Sequence, residues 1–340
     1  MKAAIKTGKQ RYEIVEIPTP ELGRGEVLVR VAYCAICAWC YEEWEADAPE
    51  SALGPGVTGH EVSGVAEICG PDTARVKPGD RVMIYNQWTC GGCPDCIAGL
   101  DTYCEYGHSL HHGFAEYVRV PERNIFHVPG DIPLKYACMI TDMIGTPLHA
   151  IKRAFSVPLP RDAITVWGLG PVGLFTVQCL RAQPGVGRIV AIDPLPFRRE
   201  MALSLGADAA LDPAAPGFGA KLAVACGKPA DYAFNCAIRD PAVIDAAFRA
   251  LGKNGYLMNI TGTAMSGFQT EKRVDSTYYY NRSEHAECMS LVASGKVRLE
   301  PVLTDVFPLA EINAAMAKRL FAKDSCLKVA VCCNESLADL

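Results

Sequence analysis

The chain has 340 residues, 50% hydrophobic and 21% charged, a composition that excludes disorder and fibre. At roughly 100–200 residues per domain it has room for about two domains, each with its own core. With 33 Lys and Arg against 38 Asp and Glu the net charge is −5, and the basic residues are scattered. That offers no footprint for a phosphate backbone and argues against nucleic acid as a partner. No apolar run reaches about 18 residues, and Met1 to Lys6 carries no apolar signal region, so the expectation is no membrane span and a cytoplasmic protein.

Before residue 150 or so, short alternating runs are punctuated by Gly, Pro and Asp. Val27-Leu28-Val29-Arg30-Val31, Val62 to Ile68 and Phe114 to Val120 read as strands of a small antiparallel barrel. After that point the pattern turns βαβ. Ala163 to Trp167 is a buried strand, Pro171 to Gln183 has helical apolar spacing, and Arg188 to Asp193 is a second strand. Further strands at Asp231 to Cys236 and Gly255 to Ile260 extend a parallel sheet. From about Tyr280 the rhythm changes again, through a turn at Ser294 to Lys296 to a strand-like tail at Leu327 to Cys332. That tail is expected to rejoin the first domain. The expected domains are therefore 1–150 with 281–340, and an inserted 151–280.

Gly168-x-Gly170-x-x-Gly173 follows a strand and opens a helix, the setting in which this spacing binds a dinucleotide. Gly168, Gly170, Pro171, Val172 and Gly173 would bring backbone against a pyrophosphate at the positive end of the helix. Asp193 stands 20 residues after Gly173, where a carboxylate accepts from ribose hydroxyls and repels a 2′-phosphate, which favours NAD over NADP. Arg198 lies close enough in sequence to hold a 2′-phosphate instead or to stack on adenine.

Sixteen cysteines in a chain without export signals point to metal more than to disulfides. Cys90, Cys93, Cys96 and Cys104 can close a tetrahedron of thiolates around Zn²⁺ with no open position, a site suited to holding a lobe that lacks a core. A second constellation is dispersed: Cys37 after the strand Val27 to Tyr33, the pair His60-Glu61 after Gly59, and Asp142.

Together these features resemble the zinc-dependent medium-chain alcohol and polyol dehydrogenases, over essentially the whole chain. The resemblance rests on Gly59-His60-Glu61-x-x-Gly64, Lys77-Pro78-Gly79-Asp80-Arg81-Val82, Gly113-Phe114-Ala115-Glu116-Tyr117 and the four-cysteine lobe. It implies an α/β fold, a GroES-like β-barrel catalytic domain joined to a Rossmann doubly wound parallel sheet. It also implies two zinc ions per chain. Cys37 and His60 match catalytic-zinc ligands, Glu61 matches a carboxylate that enters or leaves the coordination sphere, and Asp142 is favoured over Cys138 as a further ligand. The chemistry implied is hydride transfer from an alcohol to nicotinamide, with zinc lowering the pKa of the hydroxyl. The resemblance further implies a homodimer or homotetramer.

The chain departs from the family's Cys-Gly-Ser/Thr-Asp pattern: here the stretch is Cys37-Ala38-Trp39-Cys40. Trp39 has no exchangeable hydroxyl to relay the substrate proton. The proton would leave through water, a neighbouring substrate hydroxyl, the cofactor ribose or Glu42, with Trp39 serving either as a wall for the substrate or as ordinary core. Tyr41 to Glu50 then holds five carboxylates and two aromatics within ten residues. This is either a solvated face or a recognition surface for a cationic, polyhydroxylated substrate: a sugar, aminosugar, aminocyclitol or aminoglycoside. The stretch carries the further expectation of a dehydrogenase of aminoglycoside antibiotic biosynthesis, of the gentamicin-type kind. His111 and His112 are expected in an exposed loop, with a place beside the substrate as the alternative.

Three other readings stand beside this one. A simple polyol or secondary-alcohol dehydrogenase would share every motif. An inactive NAD-binding sensor or structural protein would follow if the lost relay hydroxyl had cost catalysis. The ladder Cys34-x2-Cys37-x2-Cys40 has spacing that an iron–sulfur carrier could use.

Overall fold

The computed structural model describes residues 1–47, 57–237, 240–260 and 271–340. The chain divides into two units, Met1–Thr141 with Leu303–Leu340, and Asp142–Val302. No helix among the described residues is long and apolar enough to cross a membrane.

The first unit is built around the strand Glu26–Ala35, whose residues are almost all buried because it is covered on both faces. It pairs with Glu61–Cys69 on one side and Lys328–Cys332 on the other, and Tyr117–Pro121 pairs along its first half. Arg81–Ile84, Ile125–His127 and Leu303–Pro308 complete a seven-stranded sheet in which only the last strand's pairing is parallel. Register shifts between Leu28 and Val29 and between Val31 and Tyr33 bend the central strand, as bulges do where a sheet curls. Its core gathers Val27, Val29, Val31, Val62, Val82, Phe114 and Val331. The tail, Leu303–Leu340, belongs to the first unit.

In the second unit six parallel strands run in the order Ala209–Leu211, Arg188–Ile192, Ala163–Trp167, Ala230–Asn235, Leu251–Asn259, Arg273–Ser276. The order reverses at Ala163–Trp167, which feeds the glycine turn. Ala163–Trp167 and Ala230–Asn235 lie at the centre of the sheet and are buried along nearly their whole length, since both their faces are covered.

The unit boundaries fall at 141/142 and 302/303, away from the expected 150/151 and 280/281. The helix Gly145–Phe155 buries Leu148, Ala150, Ile151 and Ala154 and packs on Pro171–Ala182 and His285–Ala293. Residues 281–302 are tied to the same unit. His149 Nδ1 lies 2.8 Å from Glu284 Oε2, and the Gln178 side chain bonds the backbone of Arg298 in both directions. These anchors are long-range packing, which local composition does not report.

Candidate metal and dinucleotide sites

Cys37 lies between the central strand and the short helix Cys40–Glu45, and its carbonyl accepts from Cys40 N at 3.1 Å. Glu61 opens the neighbouring strand, directly opposite Ala35, and His60 immediately precedes it. Gly59 sets their entry: its φ is +91°, and a Cβ there would stand 2.8 Å from both Cys34 Sγ and a Phe114 ring carbon. Asp142 sits in a π-helical turn, Ile140–Ile144, within the helical run that begins at Leu134. The Thr146 hydroxyl donates to its Oδ1 at 3.1 Å. One candidate ligand atom from each of Cys37, His60, Glu61 and Asp142 lies within 4.8 Å of the other three. Cys138 stays outside this group, fully buried, with its thiol donating to the Lys135 carbonyl.

A thiolate, an imidazole and two carboxylates make a donor set that suits a divalent transition metal. The sequence reading did not anticipate the group behind it. Lys328 Nζ donates to Glu61 Oε1 at 2.6 Å, with both side chains shut off from solvent. The signal was present: a lysine that opens an otherwise apolar strand calls for a buried anion. Cys34 and Cys40 do not join Cys37 in a sulfur cluster. Both are core residues, and among the described residues neither gathers with Cys37 into a set of candidate ligand atoms, which counts against the iron–sulfur alternative.

Cys90, Cys93, Cys96 and Cys104 likewise place their sulfurs within 4.8 Å of one another. They lie in a lobe whose regular structure is the helix Pro94–Ile97, one turn at Asp101–Tyr103 and the strand pair Gln87–Trp88 with His108–Ser109. Backbone N–H groups of Gly92 and Cys93 point at Cys90 Sγ and bring its pKa down to about 6, while burial pushes Cys96 up to about 12. A four-sulfur set closed in this way suits structural zinc.

In the second unit the glycine turn leads into the helix Pro171–Ala182, with Gly170 at its cap. A Cβ on Gly173 would sit 1.9 Å from the Gly168 carbonyl oxygen, so only glycine lets the helix start this close to the strand. Beside Gly170 there is open space, as a pyrophosphate at the helix N-terminus requires. Asp193, immediately after Arg188–Ile192, is buried. Its Oδ2 accepts from Leu169 N at 2.8 Å and its Oδ1 from Leu195 N at 2.9 Å, which leaves one lone pair on each oxygen for ribose. Arg198 turns to Asp193, its guanidinium 3.7 Å from Oδ2. The carboxylate therefore braces the turn.

The acidic stretch separates into different environments. Trp39 is 63% exposed, so core packing is not its role. Trp44 is the core residue, stacked on Tyr12 at 5.7 Å, and drops out of any substrate surface. Glu42 and Asp47 are exposed, and Glu45 is engaged by Gln10 and Lys9. Ala48, Pro49 and Glu50 lie outside the described residues. Glu43 is half-buried beside His111, whose Nδ1 lies 3.9 Å from Glu43 Oε1. His111 in turn sets its ring edge-on to His60, centroids 5.8 Å apart. His111 and His112 are thus partly buried and not in an exposed loop, because the segment turns inward at His112 with φ +80°.

Residues 23–130 match the alcohol dehydrogenase GroES-like domain, and residues 171–294 match the zinc-binding dehydrogenase domain, more than half of the chain between them. The chain belongs to the zinc-dependent medium-chain alcohol dehydrogenase family. It is accordingly an oxidoreductase acting on CH–OH groups. Within this family it is 29% identical to the L-threonine 3-dehydrogenase of Bacillus subtilis, over 97% of this chain and 97% of that protein. It is 33% identical to the L-threonine 3-dehydrogenase of Pyrococcus horikoshii over 63% of this chain and 62% of that protein. A thermostable alcohol dehydrogenase from Pyrobaculum aerophilum, solved with cobalt and zinc bound, superposes with a TM-score of 0.83 at 27% identity, over 98% of this chain and 99% of that one.

Proposed function

We propose that this dehydrogenase oxidises a secondary hydroxyl of a small polyhydroxylated, aminated molecule to a ketone, with NAD as acceptor. The overall change takes a secondary alcohol and NAD⁺ to a ketone, NADH and a proton. One observation carries the reading: the convergence of Cys37, His60, Glu61 and Asp142 within 4.8 Å, in a chain that also holds the glycine turn and Asp193. A zinc ion held by those four residues would act as a Lewis acid on the alcohol, and NAD would take the hydride.

The chain's own residues then have separate tasks. Cys37, His60 and Asp142 hold the metal, and Lys328 pairs with Glu61 within reach of it. Gly168, Gly170 and Gly173, with Pro171 and Val172, seat the pyrophosphate, and Asp193 selects the unphosphorylated ribose. Cys90, Cys93, Cys96 and Cys104 hold a second zinc that keeps their lobe folded. Trp39, exposed after Cys37, offers an apolar face to a sugar ring. The substrate proton leaves without a hydroxyl at position 39, and Glu42, exposed on the helix that follows, opens directly to solvent.

Within this proposal the substrate is an aminosugar, aminocyclitol or aminoglycoside, the reaction serves antibiotic biosynthesis, and the enzyme is a homodimer or homotetramer. NADH formation screened against neutral polyols, aminocyclitols and aminoglycosides tests the substrate, with zinc counted in the same sample. Turnover of neutral polyols alone would make the protein a simple polyol dehydrogenase. No turnover with two zinc ions bound would return the sensor reading.

A further inference from the structure

In the second unit two buried side chains keep a polar atom without a hydrogen-bond partner among the described residues: Nε2 of His149, 5% exposed, and Oγ1 of Thr277, 8% exposed. Buried groups of this kind are normally paired, so each points to a guest. Contacts on either side put the two at one level. Arg153 Nη2 lies 2.5 Å from Asp275 Oδ2, and at the other end of the same helix the Tyr280 ring packs so closely on Gly145 that a Cβ there would collide with it. The helix Gly145–Phe155 therefore runs antiparallel to the strand Arg273–Ser276 and the chain that leaves it. His149 stands four residues back from Arg153, and Thr277 two residues on from Asp275. Both steps advance about 6–7 Å in one direction and return to the same face, which brings His149 and Thr277 opposite one another.

The two atoms are chemically complementary. Glu284 Oε2 lies 2.8 Å from His149 Nδ1, and the same oxygen accepts from Asn281 N at 3.0 Å. An acceptor beside Nδ1 places the ring proton there, so in the neutral imidazole Nε2 is a lone-pair acceptor. The Thr277 hydroxyl can donate. A guest between them has to give one hydrogen bond and take another, as a primary carboxamide does through its NH2 and C=O groups. The place in the sheet names the bearer. Asp193 lies on one side of the glycine turn, after Arg188–Ile192. Thr277 lies on the other side, just past the edge strand, where its N–H extends the ladder to Asn259 O at 3.3 Å. In an open parallel sheet a dinucleotide straddles the reversal of strand order, outside the carboxyl ends of the strands. With one ribose at Asp193, its other half reaches over Ala230–Asn235 and Leu251–Asn259 towards Arg273–Ser276.

We propose that His149 and Thr277 receive the carboxamide of the nicotinamide ring, with Glu284 as the positioning residue that fixes the imidazole. The assignment rests on the dinucleotide reading above and adds what holds the reacting end of the cofactor. A ring tethered by its substituent cannot turn over, so the pair also fixes which face accepts the hydride.

The test measures calorimetric Kd for NAD⁺, for its 3-acetylpyridine analogue, in which a methyl group replaces the carboxamide NH2, and for ADP-ribose, which lacks the pyridine ring. His149→Asn keeps an N–H for Glu284 and removes Nε2. It should weaken NAD⁺ about tenfold and leave the analogue and ADP-ribose as they are in the parent. Thr277→Val should weaken NAD⁺ and the analogue alike and spare ADP-ribose, whereas Thr277→Ser should bind all three like the parent. Either position suffices should a variant at the other fail to fold. Unchanged NAD⁺ affinity in His149→Asn and Thr277→Val would overturn the proposal and leave a buried water as the guest. Equal weakening of all three compounds would overturn it in favour of a purely structural role. Both results leave the dinucleotide reading standing, whereas a parent that binds none of the three would overturn that reading and the proposal with it.

Discussion

Lys328 and Glu61 are 267 residues apart in sequence and 2.6 Å apart in space, and neither side chain reaches solvent. The pair joins the returning tail to the strand that opens with two candidate metal ligands. Removing one charge from such a pair leaves the other buried and uncompensated, a cost of about 3–5 kcal/mol. Lys328→Met should therefore lower the unfolding free energy by about that amount and weaken zinc retention against a chelator. The double variant Glu61→Gln with Lys328→Met should recover much of the stability but not the zinc. Denaturant unfolding and metal analysis read both effects, and an unaltered midpoint for Lys328→Met would refute the role.

The two ligand sets should respond differently to substitution. Cys37→Ser or His60→Ala should abolish turnover and release one zinc while the thermal midpoint stays near that of the parent. Cys93→Ser should release the other zinc and lower solubility or the midpoint, because the lobe has little core besides its metal. Equal loss of activity with intact stability at both sites would contradict the division.

On the proposed assignment Asp193 serves both the turn and the cofactor, and one substitution touches both. Asp193→Ser should raise KM for NAD about tenfold and relax the preference towards NADP, because the ribose loses its acceptor. It should also destabilise the fold by about 1–3 kcal/mol, since Leu169 N and Leu195 N lose theirs. A parent enzyme that prefers NADP would refute the cofactor assignment.

Burial holds His111 and His285 at about 4, below the roughly 6.5 of an exposed histidine. The unfolded chain therefore binds protons first as pH falls. The stability tied to these neutral rings is complete above about 6.5 and drains away towards about 4. Unfolding free energies measured across that window should fall with decreasing pH. His285→Gln should make the slope shallower. A parent enzyme equally stable at both ends would count against the assignment.

Two tryptophans five residues apart in sequence should behave as opposites. Trp44→Ala removes a buried ring stacked on Tyr12 and should cost about 3–5 kcal/mol. Trp39→Ser should change stability by no more than about 0.5 kcal/mol, because the ring is exposed. If Trp39 is a wall for the substrate, Trp39→Ser should raise KM for sugars without raising kcat. A faster enzyme would show that only a relay hydroxyl had been missing.

The sequence by itself determined the two fold types and held the glycine turn and the four-cysteine spacing, while resemblance to the family pointed to Cys37, His60, Glu61 and Asp142. The glycine turn and the cysteine ladder are written in local spacing, and Gly59 and Gly173 stand where the backbone geometry admits few residues. Only the tertiary structure decided which side of a surface each neighbouring residue faces. The acidic run reads as one feature, yet it puts Trp44 in the core, Glu45 against Lys9 and Gln10, and Glu43 beside His111. Lys328 and His111 acquired their significance in the same way, from partners hundreds or tens of residues distant. Desolvation gives such groups their charge state, and it depends on what packs around a side chain, which neighbours in sequence do not specify.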